Sequence, residues 1–494
     1  MKTIENMSDH ELVAEIIETE SLESVSKFEL SDCPQLLQDL VNYTEPCSFQ
    51  DLAFSNLGEY LLNASGEDRK PTQRESAVII TDELKSRVQD LGSGLAVMDG
   101  RQHLYLNAHW SYVDPTITTK VIGGFAERLG HNVADSRYHK IREDFAKQLA
   151  CGSMPLKRAD NKMSINFSNG TLDFNDGTTN LRQHKKADGF TYVLPFDYDE
   201  EATCPLFDRY LARVLPDEES RILLSEFYGY TFMRNLKLEK ILILLGHGHN
   251  GKSVMFDVMS AMMGEENISN LGLGALNKSE TRTPLLGKLL NYGSEITGSV
   301  SPDTFKRLAS GEPIDFRYLY GDLFTSENYA RLAFNANVLP QDVEFTDAFF
   351  RRFIIIPFDQ KITEAEKDPE LASKIISSEL SGVMNWVLRG LDRVRCNKKF
   401  SPSLKSDKCL AEYRVESDTV ALFLEEEGYS ASTTEKIKQS VVYCAYSGYC
   451  REGGFRALSK KNFKQRMIST HKIDDGRDGN IGRYFKCSQS EIGV

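Results

Sequence analysis

The chain has 494 residues, which is too long for one hydrophobic core, so its length predicts two to four domains. Its composition, 40% hydrophobic and 27% charged, is typical of a globular protein, and no apolar stretch is long enough to span a bilayer. The formal net charge of −13 argues against a protein that coats nucleic acid over its whole surface.

Neither the N-terminus nor the cysteines indicate export. Residues 1 to 5, Met-Lys-Thr-Ile-Glu, lack the basic and apolar regions of a signal peptide. The nine cysteines form no C-x-x-C pair, so neither a zinc site nor a disulfide framework is predicted. We therefore expect a cytoplasmic protein with reduced thiols and no contact with a membrane.

The sequence pattern predicts two regions before residue 236. Residues 1–75 predict an acidic helical region, in which Leu12, Val13, Ile16 and Ile17 have helical spacing. Residues 1–80 contain 16 acidic and 5 basic side chains, so any contact with nucleic acid is expected to be local, with the basic end of the chain as one candidate. The acidic region could be either a partner-docking module or a collar that stabilises a ring.

Residues 76–235 predict an α+β region. A hairpin is expected at residues 95–106 with Asp99-Gly100 at its turn, and strands at residues 165–174 with Asn169-Gly170 at another. The apolar spacing becomes helical from Cys204 to Arg234.

Residues 236–400 alternate between strand and helix patterns, which predicts a mainly parallel sheet flanked by helices. Within it, Gly246 to Ser253 read Gly-His-Gly-His-Asn-Gly-Lys-Ser directly after the apolar run Ile241–Leu245. This is the pattern G-x-x-x-x-G-K-[ST] between a buried strand and a helix, where glycines let backbone N–H groups face a phosphate. The helix is expected from Lys252 to Met263, with its positive end at the anion and Gly264 as a left-handed cap.

This loop predicts that the chain binds ATP and Mg²⁺. Lys252 can reach the β- and γ-phosphates, and the Ser253 hydroxyl can hold the metal. The residues assigned to nucleotide binding are Gly246, Gly248, Asn250, Gly251, Lys252 and Ser253.

An ATPase also needs a carboxylate near the attacking water, a polar group that senses the γ-phosphate, and a cation for the transition state. Glu295 follows a short strand and is either that carboxylate, with a share in the metal site, or a solvated acid. The strand Leu332–Ala336 leads to Asn337, an amide that can bind a phosphate without adding charge. Arg351 and Arg352 precede the strand 354–358 and are either a solvated pair or a finger for transferred phosphate.

The end of the chain is basic. An amphipathic helix is expected from about Pro369 to Arg395, and residues 431–494 contain 12 basic and 6 acidic side chains. A helix from Lys460 to Met467, a glycine-rich turn at 474–480 and a strand at 482–485 fit a winged-helix domain within residues 401–494. Lys460, Lys461 and Lys464 would then meet DNA, although many winged helices bind proteins instead.

The order of these motifs resembles the superfamily 3 helicase domain, and more narrowly the phage, plasmid and poxvirus primase-helicases. The residues that carry the resemblance from the loop onward are Gly246 to Ser253, Ser294-Glu295, Phe305 to Glu312, Asn337 to Pro340 and Phe350 to Phe353. Upstream, residues 165–173 and 204–207 are similar to the collar region of those proteins, and downstream, residues 443–446 and 458–463 are similar to their winged-helix module.

The resemblance implies an AAA+-like P-loop ATPase domain after an α+β collar and before a winged-helix domain. It implies Glu295 as the catalytic carboxylate, Asn337 as the sensor, and Arg352, with Arg351 as the alternative, as a finger acting on ATP of a neighbouring subunit. Such helicases work as rings, usually hexamers. Lys306, Arg307 and Arg317 lie in the segment that corresponds to a hairpin in the central channel, where cations would follow DNA phosphates.

The chain departs from the family pattern in two places. Ser294 stands where a second carboxylate often precedes Glu295, so Mg²⁺ would depend more on Ser253, phosphate oxygens and water. Residues 1–75 have no Asp-x-Asp on a strand, so we expect no primase activity.

The leading hypothesis is an ATP-dependent ring helicase acting on single-stranded or forked DNA, with other replication proteins as possible partners. It would serve a phage, plasmid or other mobile element in a bacterial host cell or an equivalent compartment. The alternative is an ATP-switched origin-binding or helicase-loading factor without processive unwinding. A small-molecule kinase shares the loop motif, but the amide, the arginine pair and the basic tail disfavour it.

Overall fold

The computed structural model describes residues 33–490 apart from residues 64–65, 99, 157–162, 176–177, 297–299, 320, 341–346 and 456. These residues form two compact units. The first contains the described residues up to Asn166 together with Gly170–Val193, and the second contains Phe167–Asn169 and the described residues from Leu194 onward. Within the described ranges, no helix is long and apolar enough to cross a membrane.

Six helices of the first unit pack around an apolar core that includes Leu84, Ile122, Phe125 and Phe145. Their bounds are α1 Cys33–Tyr43, α2 Phe49–Leu57, α3 Gln73–Asp90, α4 Pro115–Arg128, α5 Val133–Arg137 and α6 His139–Cys151. The first two confirm part of the helical pattern predicted for the N-terminal region. The spacing of Leu12, Val13, Ile16 and Ile17 lies outside the described residues.

The first unit also contains two small sheets. One has the order β3-β2-β1-β4 and the other the order β5-β6-β7. The bounds are β1 Leu95–Met98, β2 Arg101–Leu106, β3 His109–Tyr112, β4 Met154–Pro155, β5 Met163–Phe167, β6 Gly170–Asn175 and β7 Thr178–Arg182.

The hairpin predicted at residues 95–106 is confirmed, since Met98 pairs with Arg101 in antiparallel strands. Gly100 has φ +72°, as a tight turn requires, while Asp99 lies outside the described residues. The strands on either side of Asn169-Gly170 are also confirmed. The third strand β7 was not predicted, because its exposed residues 178–182 lack the apolar alternation on which the prediction depends.

The second unit is built on a five-stranded sheet in which every pairing is parallel. Its order is β14-β8-β13-β10-β9, which confirms the mainly parallel sheet predicted for this region. The first strand, β8, lies between two others and is almost wholly apolar, as expected where helices cover both faces. The strands are β8 Ile241–Leu245, β9 Ile268–Ser269, β10 Leu290–Gly293, β13 Arg331–Ala336 and β14 Phe353–Pro357, and between β10 and β13 the chain forms an antiparallel hairpin of β11 Ile314–Arg317 and β12 Leu323–Ser326.

Eleven helices lie in the described part of the second unit. They are α7 Pro205–Val214, α8 Glu218–Tyr230, α9 Lys252–Met263, α10 Pro302–Ser310, α11 Asp347–Phe350, α12 Leu371–Ser378, α13 Leu380–Asn397, α14 Leu404–Glu416, α15 Thr419–Glu426, α16 Gln439–Glu452 and α17 Lys460–Ser469. The predicted bounds of α9 are confirmed. Gly264 has φ +84° but ψ 132°, so it ends the helix without the left-handed conformation that the sequence suggested.

The single helix predicted from Pro369 to Arg395 is wrong, because the structure has two helices that meet at Glu379. The carboxylate of Glu379 accepts hydrogen bonds of 2.9 Å from the backbone N–H groups of Leu206 and Phe207. A helix N-terminus attracts a carboxylate, so the break places Glu379 where it satisfies the first turn of α7. Apolar periodicity along 369–395 could not reveal a partner so distant in sequence.

The last part of the chain, residues 419–490, is called the C-terminal module. Its helices α15, α16 and α17 pack around Phe423, Tyr446, Phe463 and Phe485. Its strands are β15 Tyr429–Ala431, β16 Ile437–Lys438, β17 Asp475–Asp478, β18 Gly482–Phe485 and β19 Cys487–Gln489. The turn predicted at 474–480 is partly wrong, since β17 lies there and forms a hairpin with β18 in the sheet β16-β18-β17.

Candidate functional site

The glycine loop, residues 246–251, joins β8 to α9 at the carboxyl edge of the five-stranded sheet. Gly248 and Gly251 have φ +68° and +87°, which glycine adopts without steric cost. Gly246 allows no side chain, since a Cβ there would lie 2.1 Å from Nδ2 of Asn250 and 2.7 Å from the carbonyl oxygen of Phe358. Asn250 is buried and donates to that same carbonyl at 3.3 Å, so its side chain braces the loop.

Lys252 is the first residue of α9 and is buried at 7% exposure. Its ammonium donates to the carbonyl of Gly246 and lies 3.4 Å from Oδ1 of Asn337. Burial lowers the pKa of this lysine. A buried cation beside a ring of backbone amides is a strong anion site, because low dielectric strengthens its attraction for a phosphate.

The loop opens into a cavity of about 850 Å³. It is lined by the glycine loop and the start of α9, by the carboxyl ends of β10 and β13, by α7 and by residues 362–372. Crevices at the carboxyl ends of parallel strands are the usual ligand sites of α/β sheets. Of the predicted site residues, the cavity brings together Gly248, Asn250, Gly251, Lys252, Ser253, Glu295 and Asn337.

The cavity is also lined by Ser294 and Glu295 after β10 and by Asp257 on α9. Glu295 and Ser294 follow β10 and are exposed, which agrees with the placement expected from the sequence. Asp257 lies one turn after Ser253 on α9, and partial burial raises the pKa of its carboxyl. The sequence analysis missed Asp257, although its spacing of four from Ser253 places both side chains on one helical face.

Two amides approach the cavity from β13 and the residue after it. Asn335 and Asn337 both line it, since residues two apart on a strand share a face. Asn335 is 8% exposed, and its Oδ1 accepts a hydrogen bond of 3.3 Å from the hydroxyl of Tyr292 on β10. The sequence analysis singled out Asn337 alone, but the period of two along 335–337 would also have indicated Asn335.

The outer wall of the cavity comes from α7 and from the segment 361–372. The hydroxyl of Tyr210 donates to the carbonyl of Gly251 at 2.8 Å, so α7 supports the glycine loop directly. Arg213 forms an ion pair of 2.9 Å with Glu366 and also donates to the carbonyl of Lys361. No sequence pattern predicts this wall, because its members are more than a hundred residues apart.

Arg351 and Arg352 lie at the opposite, amino edge of the sheet, just before β14. Neither lines the cavity. Arg352 has a side chain only 7% exposed, held by Glu239 at 2.9 Å, by the Ser310 hydroxyl at 3.3 Å and by the carbonyl of Ala348. Arg351 is 62% exposed and contacts the same carboxylate oxygen, Oε2 of Glu239, at 3.1 Å. Roughly 13 Å of strand separates this edge from the glycine loop.

The cations that were predicted to contact DNA also lie away from the cavity. Lys306 and Arg307 lie on α10 and Arg317 lies on β11. Arg307 donates to the carbonyl of Pro313, and Arg317 donates to that of Gly321 at 3.1 Å. In the C-terminal module, Lys464 forms an ion pair of 2.5 Å with Asp475. Lys460 lies 5.5 Å from the centre of the Tyr443 ring, and Lys461 is exposed.

The described side chains form neither a cluster of metal ligands nor a disulfide. Among the described residues no group of three or more His, Cys, Asp or Glu side chains could hold a metal ion. The eight cysteines whose side chains are described are free thiols. A metal at the cavity would therefore need oxygens from a bound nucleotide and water in addition to Ser253 and Glu295, which suits Mg²⁺.

Three family models match successive parts of the chain. One described as D5 N terminal like matches residues 97–216, a family of unknown function (DUF5906) matches residues 244–352, and one described as Poxvirus D5 protein-like matches residues 415–485. The second of these covers the glycine loop, Glu295, Asn337 and both arginines.

Known proteins give more distant similarities. The chain is 23% identical over 363 residues to "Putative helicase 121R" of Invertebrate iridescent virus 3, which covers 64% of this chain and 38% of the relative. The chain thus spans about two fifths of that protein. Structures of the apo C-terminal region of NrS-1 cover 82% and 84% of this chain at 13% and 14% identity, with TM-scores of 0.46 and 0.48.

In the sequence, the two D5-like regions precede and follow the strands of the parallel sheet, in the order that the sequence motifs predict, and the named relative is a putative helicase of a virus. The chain therefore resembles the D5-like viral proteins in these two regions, which is consistent with the phage and viral primase-helicase family.

Proposed function

We propose that the chain is an ATP-hydrolysing superfamily 3 helicase that acts as a ring in the replication of a phage, plasmid or other mobile element. The observation that supports this most directly is the glycine loop with the buried ammonium of Lys252, 3.4 Å from the amide of Asn337, at the mouth of one cavity. Together they form a P-loop and a sensor of the AAA+ type.

In this proposal the phosphates of ATP lie against the glycine loop and the N-terminus of α9. Lys252 holds the β- and γ-phosphates, and Ser253 supplies one oxygen to Mg²⁺. Glu295 orients the attacking water, and the metal supplies charge neutralisation when bound. Asn337 is the sensor of the γ-phosphate. Its side-chain amide lies 3.4 Å from the ammonium of Lys252, so it can hydrogen-bond a phosphate that Lys252 holds.

The arginines support assembly into a ring. Because they lie at the amino edge of the sheet and the glycine loop at the carboxyl edge, they cannot reach the nucleotide of their own chain. A head-to-tail ring, with six subunits as in the family, would place the arginines of one chain at the cavity of the next. The resemblance implies Arg352 as the finger. The exposure of the two side chains favours Arg351 instead, with Glu239 held between Arg351 and the buried Arg352.

DNA would then be moved by the segment of Lys306, Arg307 and Arg317 and held in addition by the C-terminal module. A three-stranded sheet beside the basic helix α17 supports the proposal that this module is a winged helix. The alternative, an ATP-switched origin-binding or loading factor, uses the same loop and the same ring without processive unwinding.

Strand displacement separates the two. We expect the purified chain to hydrolyse ATP, to do so faster with DNA, and to displace a labelled strand from a fork, with Lys252→Ala as the control for contaminating enzymes. ATP binding and ring formation with negligible turnover would contradict the helicase and favour the loading factor. Phosphoryl transfer to a small acceptor without any response to DNA would favour a kinase.

A further inference from the structure

Two arginines face each other in the hairpin of β17 and β18 in the C-terminal module. Arg477 is the direct cross-strand partner of Arg483, which places their Cα atoms about 4.5–5.5 Å apart on one face of the sheet. Both side chains are exposed. Like charges directly opposite each other destabilise a sheet, so this pair costs folding stability unless an anion lies between the guanidinium groups.

The acids of the same hairpin do not neutralise them. Asp475 is paired with Lys464 at 2.5 Å, Asp478 with Lys436 at 3.2 Å, and the preceding Asp474 lies 3.8 Å from Lys486. Across the described parts of the chain, no ion pair or side-chain hydrogen bond is found for Arg477 or Arg483. The three aspartates are matched by three lysines, so the two arginines remain as net positive charge.

The hairpin that presents them is held in place. Gly476 leaves room for the Tyr484 ring, since a Cβ at this glycine would lie 2.5 Å from the tyrosine hydroxyl oxygen. Lys436 lies 4.8 Å from the centre of that ring. At the tip, the carboxylate of Asp478 accepts a hydrogen bond of 3.0 Å from the N–H of Asn480. The two guanidinium groups therefore project from a braced backbone, which lowers the entropy lost when they bind.

We propose that Arg477 and Arg483 are a phosphate-binding pair that holds the backbone of duplex DNA. Planar guanidinium groups bind phosphate oxygens in a bidentate manner, and a phosphodiester between them would offset their repulsion. The inference rests on the proposed action on DNA, and it adds two residues that the basic helix α17 did not suggest.

The surroundings favour a duplex over a single strand. Proteins that hold single strands stack bases on exposed aromatic rings. Here Tyr484 and Phe485 are buried at 9% and 1% exposure, and among the described residues of the C-terminal module the one large apolar side chain that is exposed is Val441, which has no aromatic ring. Contacts to phosphates without stacking suit an intact double helix.

The test is binding of a short blunt DNA duplex, measured by fluorescence anisotropy without ATP over a range of salt concentrations. We expect Arg477→Ala/Arg483→Ala to weaken binding by roughly tenfold or more at low salt and to reduce the salt slope by about two. The matched control Lys140→Ala/Lys147→Ala removes two exposed cations from α6 and should leave both quantities unchanged.

A stability measurement separates this role from a structural one. Removing either arginine relieves repulsion, so Arg477→Ala should melt at or above the temperature of the wild-type chain. Arg477→Asp places a carboxylate opposite Arg483 and should raise the melting temperature further while duplex binding falls. A structural pair would instead show a lower melting temperature and unchanged binding.

Several outcomes would overturn the inference. They are wild-type affinity in the double variant, an equal loss in the α6 control, a loss for single strands but not duplexes, or no duplex binding by the wild-type chain. Because the assay contains no ATP, it is independent of turnover. If the arginine variants lose duplex binding but the wild-type chain neither hydrolyses ATP nor displaces a strand, the proposed helicase fails and the phosphate pair stands.

Discussion

The two edges of the five-stranded sheet differ in what they leave open. At the carboxyl edge, the glycine loop, Lys252 and Asn337 surround a cavity of about 850 Å³. At the amino edge, Glu239 holds both arginines, and the side chain of Arg352 is 7% exposed. The carboxyl edge thus has an open cavity, whereas at the amino edge the charged groups pair with one another and only the guanidinium group of Arg351 is exposed.

This difference indicates how the proposed work is divided between subunits. Parallel strands place their carboxyl ends together, so one chain can assemble the loop, the carboxylate and the amide unaided. The same geometry sends the residues before β14 to the far edge. In the proposed ring, each chain would thus bind a nucleotide with its own residues and would need another copy for the cation that completes hydrolysis.

The largest expected effect comes from Lys252. In Lys252→Ala the cavity loses its buried ammonium, so we expect ATP binding and turnover to fall to background. Titration calorimetry and phosphate release measure this. Lys405→Ala, which removes an exposed lysine from α14, serves as the control and should leave both unchanged. Normal turnover in Lys252→Ala would show that the carboxyl edge is not the nucleotide site.

Substitution of the arginines should reduce ATP binding less than Lys252→Ala does, but should strongly reduce ATP hydrolysis. We expect Arg351→Ala to bind ATP normally and to hydrolyse it about 10³-fold more slowly, as removal of an arginine finger does. Arg351→Lys keeps the charge without the planar fork and should recover little.

Arg352→Ala should behave differently, because this side chain is buried against Glu239 and Ser310. We expect its melting temperature to fall by roughly a few degrees, with a secondary loss of turnover. A normal melting temperature with abolished turnover would instead identify Arg352 as the finger, as the resemblance to superfamily 3 suggests.

The carboxylates of the cavity give the next effect. Glu295→Gln should bind ATP but hydrolyse it about 10²-fold more slowly, since the water loses the group that orients it. Asp257→Asn is the matched control, because Asp257 lines the same cavity from α9. If Asp257→Asn loses more turnover than Glu295→Gln, the roles of the two carboxylates are reversed.

The smallest effect is expected at the wall of the cavity. The hydrogen bonds of Arg213 and of Thr363 lower the pKa of the Glu366 carboxyl to about 2 from an ordinary 4.5. A lowered pKa stabilises the fold above the ordinary value and loses this contribution as the pH falls toward 2. Arg213→Ala should thus raise the KM for ATP a few-fold, with a slight loss of stability at neutral pH that shrinks below pH 4.5. An unchanged KM would show that α7 does not fix the segment 361–372 at the cavity.

The sequence predicted the elements that depend on local patterns. Glycines, a lysine and a hydroxyl after an apolar strand located the loop, and the bounds of α9 followed from the helical spacing between Lys252 and Gly264. The parallel sheet also followed, because strands and helices alternate. Each of these depends on residues near one another in the chain.

Features made by distant residues could not be predicted in this way. The break between α12 and α13 depends on hydrogen bonds from Glu379 to the start of α7. The support of the glycine loop by Tyr210 and the burial of Arg352 against Glu239 likewise join separate segments. Neighbouring arginines look alike in sequence, and only packing distinguishes the exposed one from the buried one.

The most direct test of a site shared between subunits is to mix two inactive proteins. Lys252→Ala has no working loop but keeps its arginines, and the arginine variant that loses turnover keeps its loop. In an equal mixture, about one site in four would join an intact loop to an intact arginine if subunits contact head to tail. The account predicts that ATP hydrolysis returns to roughly that fraction of wild-type turnover. No recovery, in mixtures shown by mass to contain both proteins in one ring, would contradict it.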